Sequence, residues 1–240
     1  MNDMRKCMIS LLLMFLLFPL ATIHTGCSKK NGEQKPPDIW DIDKSGIPKF
    51  VGTDYIELDK IYRISKFRSS VGHDYSDAVE HCRSMKHYFE PKGDVNWPTV
   101  KIYSPVTGTI TRYETEWSGI KIEIASDAYP AFRFSIFHIN MLVQLNVGDK
   151  VTAGQQLGTH IGPETYSDIS VIVNDPTRQG RMVSYFDVIT DAVFSKYSRR
   201  GVSKREDMII PKSTRDANPL TCSGDTFTST DALENWFILN

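Results

Sequence analysis

An excess of positive charge is the first thing missing: 28 Lys and Arg stand against 29 Asp and Glu, a formal net charge of −1 in 240 residues. With no basic patch, nucleic acid is not an expected partner. No internal repeat is visible, so a stacked-repeat architecture is not expected either. Only one long apolar run is present, Met8–Ile23, and it is short for a membrane-spanning helix. There are four cysteines, Cys7, Cys27, Cys82 and Cys222, so few disulfides are available. A long helical hairpin is also missing, which argues against an adaptor built on one.

The apolar run follows Arg5 and Lys6 and ends at Thr25-Gly26-Cys27, ahead of Ser28-Lys29-Lys30. Positive charge, a short apolar stretch and then small residues are the layout of an export signal. Gly26-Cys27 resembles a lipoprotein processing box, with His24 departing from the aliphatic residue usual three places before the cysteine. The resemblance implies that residues 1–26 are a signal peptide and that Cys27 is lipidated. The chain would then be exported and membrane-anchored at the cell envelope, on the periplasmic side or at the outer membrane, without a spanning helix. Residues 27–50, with Lys35-Pro36-Pro37 and Gly46, read as a tether. Once Cys7 leaves with the signal and Cys27 carries lipid, Cys82 and Cys222 remain. They are either a disulfide in an oxidising compartment or two free thiols.

The remaining chain of about 210 residues suffices for one domain with a substantial core, plus extensions. Strand signals dominate its middle. Ile120, Ile122 and Ile124 alternate with Lys121 and Glu123, and Phe132, Phe134 and Ile136 share one face of the next strand. His138 continues that face unless the strand ends or bulges before it. Ile169–Val173 is a further strand. Helical patterning is confined to Asp77–Phe89, to Tyr185–Tyr197 with Val188, Ala192 and Phe194, and weakly to Asp231–Phe237. The pattern predicts a mainly β domain over residues 51–175 with a helical insertion at 78–99. An α-containing extension over 176–240 would pack on it.

Tyr103-Ser-Pro-Val-Thr-Gly-Thr-Ile110, then Ser135–Gly158 with "HINMLVQLNVGDKVTAGQQLG", resembles the lysostaphin or LytM-type zinc endopeptidases. The likeness covers roughly residues 68 to 175. It implies a barrel-sandwich hybrid (duplicated hybrid motif) core, although biotinyl/lipoyl domains and membrane-fusion modules share the same turns. The glycines are read as tight turns needing positive φ. The family carries an upstream H-x-x-x-D, a histidine in "Y-x-H-L", and H-x-H on a late strand. His73 and Asp77 in "VGHDYSD" match the first motif in spacing, with Tyr75 where a glycine is usual, and His138 matches the second.

The third motif is degenerate. In Tyr166-Ser-Asp-Ile-Ser-Val-Ile-Val173, Asp168 and Ser170 fall where the two histidines belong. The i, i+2 spacing still puts two side chains on one face of a strand. By resemblance, His73, Asp77 and the residue at 170 would ligate zinc, while His138 and the residue at 168 would assist the attacking water. A serine hydroxyl is a poor zinc donor, and catalytic zinc normally keeps three protein ligands. Two rescues remain open. One takes Asp168 as third ligand; the other puts His73, Asp77 and His81 on one face of a helix. His87 and His160 read as surface or hydrogen-bonded polar residues. Trp97, Trp117 and Tyr129 either line a groove or cap the barrel edges.

The extension carries no nucleophile triad, phosphate loop or complete zinc motif. The expected function is therefore a cell-envelope lipoprotein with a pseudo-metallopeptidase domain that binds peptidoglycan or a partner protein and needs no cofactor. The alternatives are an active zinc endopeptidase in which Asp168 replaces a histidine, and a barrel-sandwich adaptor of an envelope assembly.

Overall fold

The computed structural model describes residues 38–240; the signal, Cys7 and Cys27 lie outside the described residues. Thirteen strands run in chain order: β1 Ile61–Ser65, β2 His87–Pro91, β3 Lys101–Tyr103, β4 Gly108–Glu116, β5 Gly119–Ser126, β6 Phe132–Met141 and β7 Lys150–Val151. They continue with β8 Gln156–His160, β9 Ser167–Val173, β10 Arg181–Val183, β11 Cys222–Ser223, β12 Thr226–Phe227 and β13 Trp236–Ile238. Four short helices accompany them: α1 Ile42–Ser45, α2 Tyr185–Val188, α3 Asp191–Ser198 and α4 Lys212–Ala217. Eleven strands form one sheet, with the path β13-β1-β2-β9-β6-β5-β4-β7; β10 joins β9, and β8 pairs with both β3 and β6. The fold is mainly β, and every strand pairing is antiparallel.

The alternating pattern of β5 and β6 does what the sequence predicts. Ile122, Ile124, Phe132, Phe134 and Ile136 are fully buried in one core cluster, each contributing about 1.5–3 kcal/mol of transfer free energy. Two motif glycines serve a purpose other than a turn. A Cβ on Gly108 would lie 2.2 Å from the Ala125 carbonyl oxygen, and one on Gly158 would lie 2.2 Å from that of Asn140. These positions are glycine because two backbones pass too closely for any side chain. The positive-φ turn reading holds instead for Gly148 and Gly154.

Several expectations are corrected. Asp77–Phe89 is not a helix: it runs irregularly into β2. The Asp77 carboxylate accepts from the amides of Val79 and Glu80 in a local turn, and Cys82 sits at φ 55, a conformation no right-handed helix accommodates. With no helix there, His73, Asp77 and His81 do not share a helical face. Asp231–Phe237 is not helical either. Trp236–Ile238 extends the sheet as β13 against β1, with the Arg63 guanidinium 4.2 Å above the Trp236 ring. Tyr185–Tyr197 is helical but broken at Ile189, and its second helix buries Val193 and Tyr197 rather than Ala192. The tether expected over 27–50 is packed from Trp40 onward: Trp40 and Phe50 stack on Tyr129 and Phe132, and Ile42 is buried. No helix among the described residues is long and apolar enough to cross a membrane.

The extension is fixed to the sheet by polar contacts as well as packing. Cys82 and Cys222 are joined by a disulfide, with Cα atoms 5.8 Å apart. Arg215 is fully buried and makes a two-pronged pair with Asp231 at 2.9 and 2.6 Å. Arg83 links Glu80 to Asp216 at 3.1 and 3.0 Å. Together these hold the β11–β12 hairpin beside the loop that carries His73.

Candidate functional site

A cleft of about 760 Å³ opens between the His73 loop, the ends of β5 and β6, the Glu164–Tyr166 segment and the β11–β12 hairpin. Its floor is built on strand geometry. Tyr88 on β2 pairs in register with Asp168 on β9. Lys86, two residues before Tyr88, therefore emerges on the same face as Asp168. On β6, Ile139 pairs with Ile120 and Ile136 with Ile122, so Phe137 and His138 together oppose Lys121. That bulge puts His138 at φ 61, a strained conformation for a residue with a Cβ, and it turns the imidazole into the cleft.

The contacts around Lys86 organise the floor. Its ammonium donates to Asp168 Oδ2 at 2.7 Å and to His73 Nε2 at 3.4 Å, and it lies 3.7 Å from the Phe137 ring centroid and 4.3 Å from that of Tyr75. Only 2 % of its side chain is exposed. His73 Nδ1–H donates to the Asp74 carbonyl at 3.0 Å, which leaves the Nε2 lone pair to accept from Lys86. Burial, then the neighbouring Lys86 charge, lowers the His73 pKa and keeps the ring neutral. Tyr75 supplies one aromatic wall of this cage.

Asp168 is completely buried, which by itself pushes its pKa up. The charges of Lys86 and His138 outweigh burial, and the carboxylate stays ionised below the ordinary range. His138 lies between two acceptors: the Ser118 carbonyl is 3.1 Å from Nδ1 and Asp168 Oδ1 is 3.1 Å from Nε2. Burial opposes its protonation, but Asp168 prevails and raises the pKa. The Nε2–Oδ1 contact at 3.1 Å is an ion pair whose hydrogen-bond alignment is poor.

The structure thus brings His73, His138 and Asp168 together around Lys86, but Asp77 does not join them. Asp77 is buried, and its two carboxylate oxygens accept from the amides of Val79, Glu80 and Met182. Ser170 is buried with an unpartnered hydroxyl. Among the described residues, no group of three or more His, Cys, Asp or Glu is placed to hold a metal. The donor set does not fit zinc: the Asp77 carboxylate is engaged by backbone amides, Ser170 offers only a hydroxyl, and the Lys86 ammonium stands against His73 and Asp168.

Lys86 was not singled out in the sequence because its stretch patterns as a helix. Read as a strand ending at Pro91, the same residues would have put Lys86 and Tyr88 on one face. His87 and His160 prove buried and hydrogen-bonded. His87 lies between the Ser65 carbonyl and Ser184, both at 2.8 Å, and His160 stacks on Trp97 at 4.1 Å. Burial pushes both down to about 4. Of the three loop aromatics, only Trp117 lines the cleft; Trp97 covers His160, and Tyr129 packs on Trp40.

No protein-family model matches this chain, and no curated protein does. Solved structures do resemble it. The SpoIIQ–SpoIIIAH pore-forming complex contains a chain 12% identical, matched over 62% of this chain and 96% of its own, at a TM-score of 0.43. Csd3 of Helicobacter pylori is 18% identical over 66% of this chain and 41% of its own, at 0.43. The catalytic domain of lysostaphin from Staphylococcus simulans is 18% identical over 45% and 87%, at 0.31. Superpositions this loose carry no argument about activity, so the functional reading rests on the cleft and the sequence motifs.

Proposed function

We propose that this chain is a cell-envelope lipoprotein whose LytM-type domain recognises peptidoglycan or a partner protein without hydrolysing it. One observation carries the reading: the Lys86 ammonium, held by Asp168 and His73, occupies the space a metal would need between them. A divalent ion approaching the same donors meets a resident positive charge, and the Coulomb repulsion is strong in so dry a place. Without metal there is no polarised water, and His73 facing the Lys86 ammonium, the Lys86–Asp168 pair and His138 held by Asp168 supply no obvious nucleophile or free base. What remains is a shaped cleft with charged floor and rim, fit for recognition.

The test is zinc content of the purified, exported chain, with His73→Ala and Asp168→Ala beside it. Zinc far below one per chain in all three, and no chelator-sensitive cleavage of peptidoglycan peptides, is the expected result. Stoichiometric zinc lost in both variants, together with such cleavage, would establish the zinc endopeptidase with Asp168 as ligand instead. Sedimentation with purified peptidoglycan in the presence of chelator separates wall binding from partner binding. Anchoring rests on Thr25-Gly26-Cys27 and is tested by Cys27→Ala, which should release the protein from membranes; retention points to an uncleaved signal.

A further inference from the structure

The floor of the cleft and its mouth carry opposite kinds of charge. On the floor every cationic donor has a partner: Lys86 has Asp168 and His73, and His138 has Ser118 and Asp168. An entering anion finds no free cationic donor there. Lys121, the other cation lining the cleft, is held by Glu114 at 2.8 Å.

The mouth is acidic. Glu116, Glu164 and Asp225 line it, and neither Glu116 nor Glu164 has a cationic partner among the described residues. Asp225 lies 4.0 Å from His73 Nδ1, but that nitrogen already donates to Asp74 and the ring is neutral. Trp117, between Glu116 and Ser118 at the β4–β5 turn, is 86% exposed, and Tyr166 beside Glu164 is 36% exposed. An indole so open to water at a cleft edge offers a face that attracts cations.

A second, independent feature points to a ligand. The Tyr88 side chain lines the cleft and is 4% exposed, and its hydroxyl makes no well-aligned hydrogen bond, with Ser84 and the His73 backbone as its polar neighbours. It sits against Gly72, where any Cβ would strike it at 2.3 Å. A buried, unsatisfied hydroxyl in a cleft wall is costly unless something that enters the cleft supplies the partner.

We propose that the cleft mouth binds a peptide through a cationic side chain, primary amine or guanidinium. The carboxylates of Glu116, Glu164 and Asp225 would hold its charge, the Trp117 and Tyr166 faces its stem, and the Tyr88 hydroxyl a peptide group beneath. This rests on reading the cleft as a recognition site and names the chemistry it selects. Opposite charge, an aromatic platform and a single interior hydrogen-bonding group together favour an amine on an apolar stem over a carboxylate or a sugar.

The experiment is a tryptophan-fluorescence titration of the exported chain with three blocked tripeptides, acetyl-Gly-X-Gly-amide, where X is lysine, norleucine or glutamate. The lysine peptide should give saturable binding, about tenfold tighter than the other two and weakened by salt. Trp117→Phe should remove most of the signal, locating it at the mouth. The triple variant Glu116→Gln, Glu164→Gln, Asp225→Asn should weaken the lysine peptide about tenfold with an unchanged melting temperature, and Tyr88→Phe about threefold. Equal binding of the three peptides, no binding at millimolar concentration, or a triple variant that binds like the parent would overturn the proposal. Zinc content of the same sample keeps the two readings apart. Selective lysine binding by a zinc-loaded protein sinks the non-hydrolytic reading alone, and absent selectivity in a zinc-free protein sinks this one alone.

Discussion

The floor and the mouth of one cleft differ in how their charges are treated. On the floor, the buried Lys86 and Asp168 and the half-buried His138 neutralise one another; at the mouth, the half-buried Glu116 and the exposed Glu164 have no cation of their own among the described residues. Buried ions must be paired because desolvation is expensive, whereas exposed ones lose little by standing alone. The floor is therefore committed to holding the structure, and the mouth is free to meet a ligand. A hydrolytic site would need the reverse, with unsatisfied donors on the floor waiting for metal and water.

Removing the floor cation should have the largest effect. Lys86→Met leaves the Asp168 carboxylate buried beside aromatic rings, and should cost about 3–5 kcal/mol in urea unfolding. Adding Asp168→Asn should recover a large part of that loss, and strictly additive effects in the double-mutant cycle would show that the two charges are not coupled. Next, replacing Cys82 and Cys222 by serine opens a loop spanning 140 residues and should lower stability by about 2–5 kcal/mol. It should also loosen the β11–β12 hairpin, seen as faster amide exchange around Asp225.

Acid should separate the histidines whose pKa is lowered from the one whose pKa is raised. His87 and His160 stay neutral in the folded chain down to about 4, against an ordinary value of 6.5. The unfolded chain thus takes up protons first, and melting temperature should fall as pH drops from 6.5 towards 4. His138 works the other way, because its folded pKa is raised. Its contribution is complete below 6.5 and disappears as pH climbs through the raised value. The Asp168 contribution, present above 3.8, is lost as pH falls through its lowered folded value. His73, whose pKa is also lowered, acts with His87 and His160, and three histidines against one give a net loss on the acid side; a His138→Gln chain should no longer lose stability on the alkaline side. The smallest effect belongs to the mouth: Glu164→Gln should change stability by no more than about 0.5 kcal/mol while still weakening the lysine peptide.

The strands of the core were legible because alternating isoleucine and phenylalanine record which face is buried, as Ile122, Ile124, Phe132 and Phe134 do. The partners of His138 and Asp168 were not. His138 is turned by a bulge whose cause is a register shift between two strands, and no local pattern at Phe137 announces it. The spacing of His73 and Asp77 suggested a shared site, but spacing does not fix where a loop aims its side chains. Amides of the same turn and of β10 captured Asp77.

By itself, the sequence determined the β-rich core and placed Asp168 and Ser170, at i and i+2, on one face of a strand. It also left Cys82 and Cys222 as the cysteines of residues 38–240. These follow from residue identity and period, which are local properties. Only the tertiary structure decided that Cys82 and Cys222 are joined, that Asp77 serves the backbone, and that Lys86 stands between His73 and Asp168. Those outcomes depend on which distant strands pair and in what register, because only pairing determines which buried charges must neutralise each other.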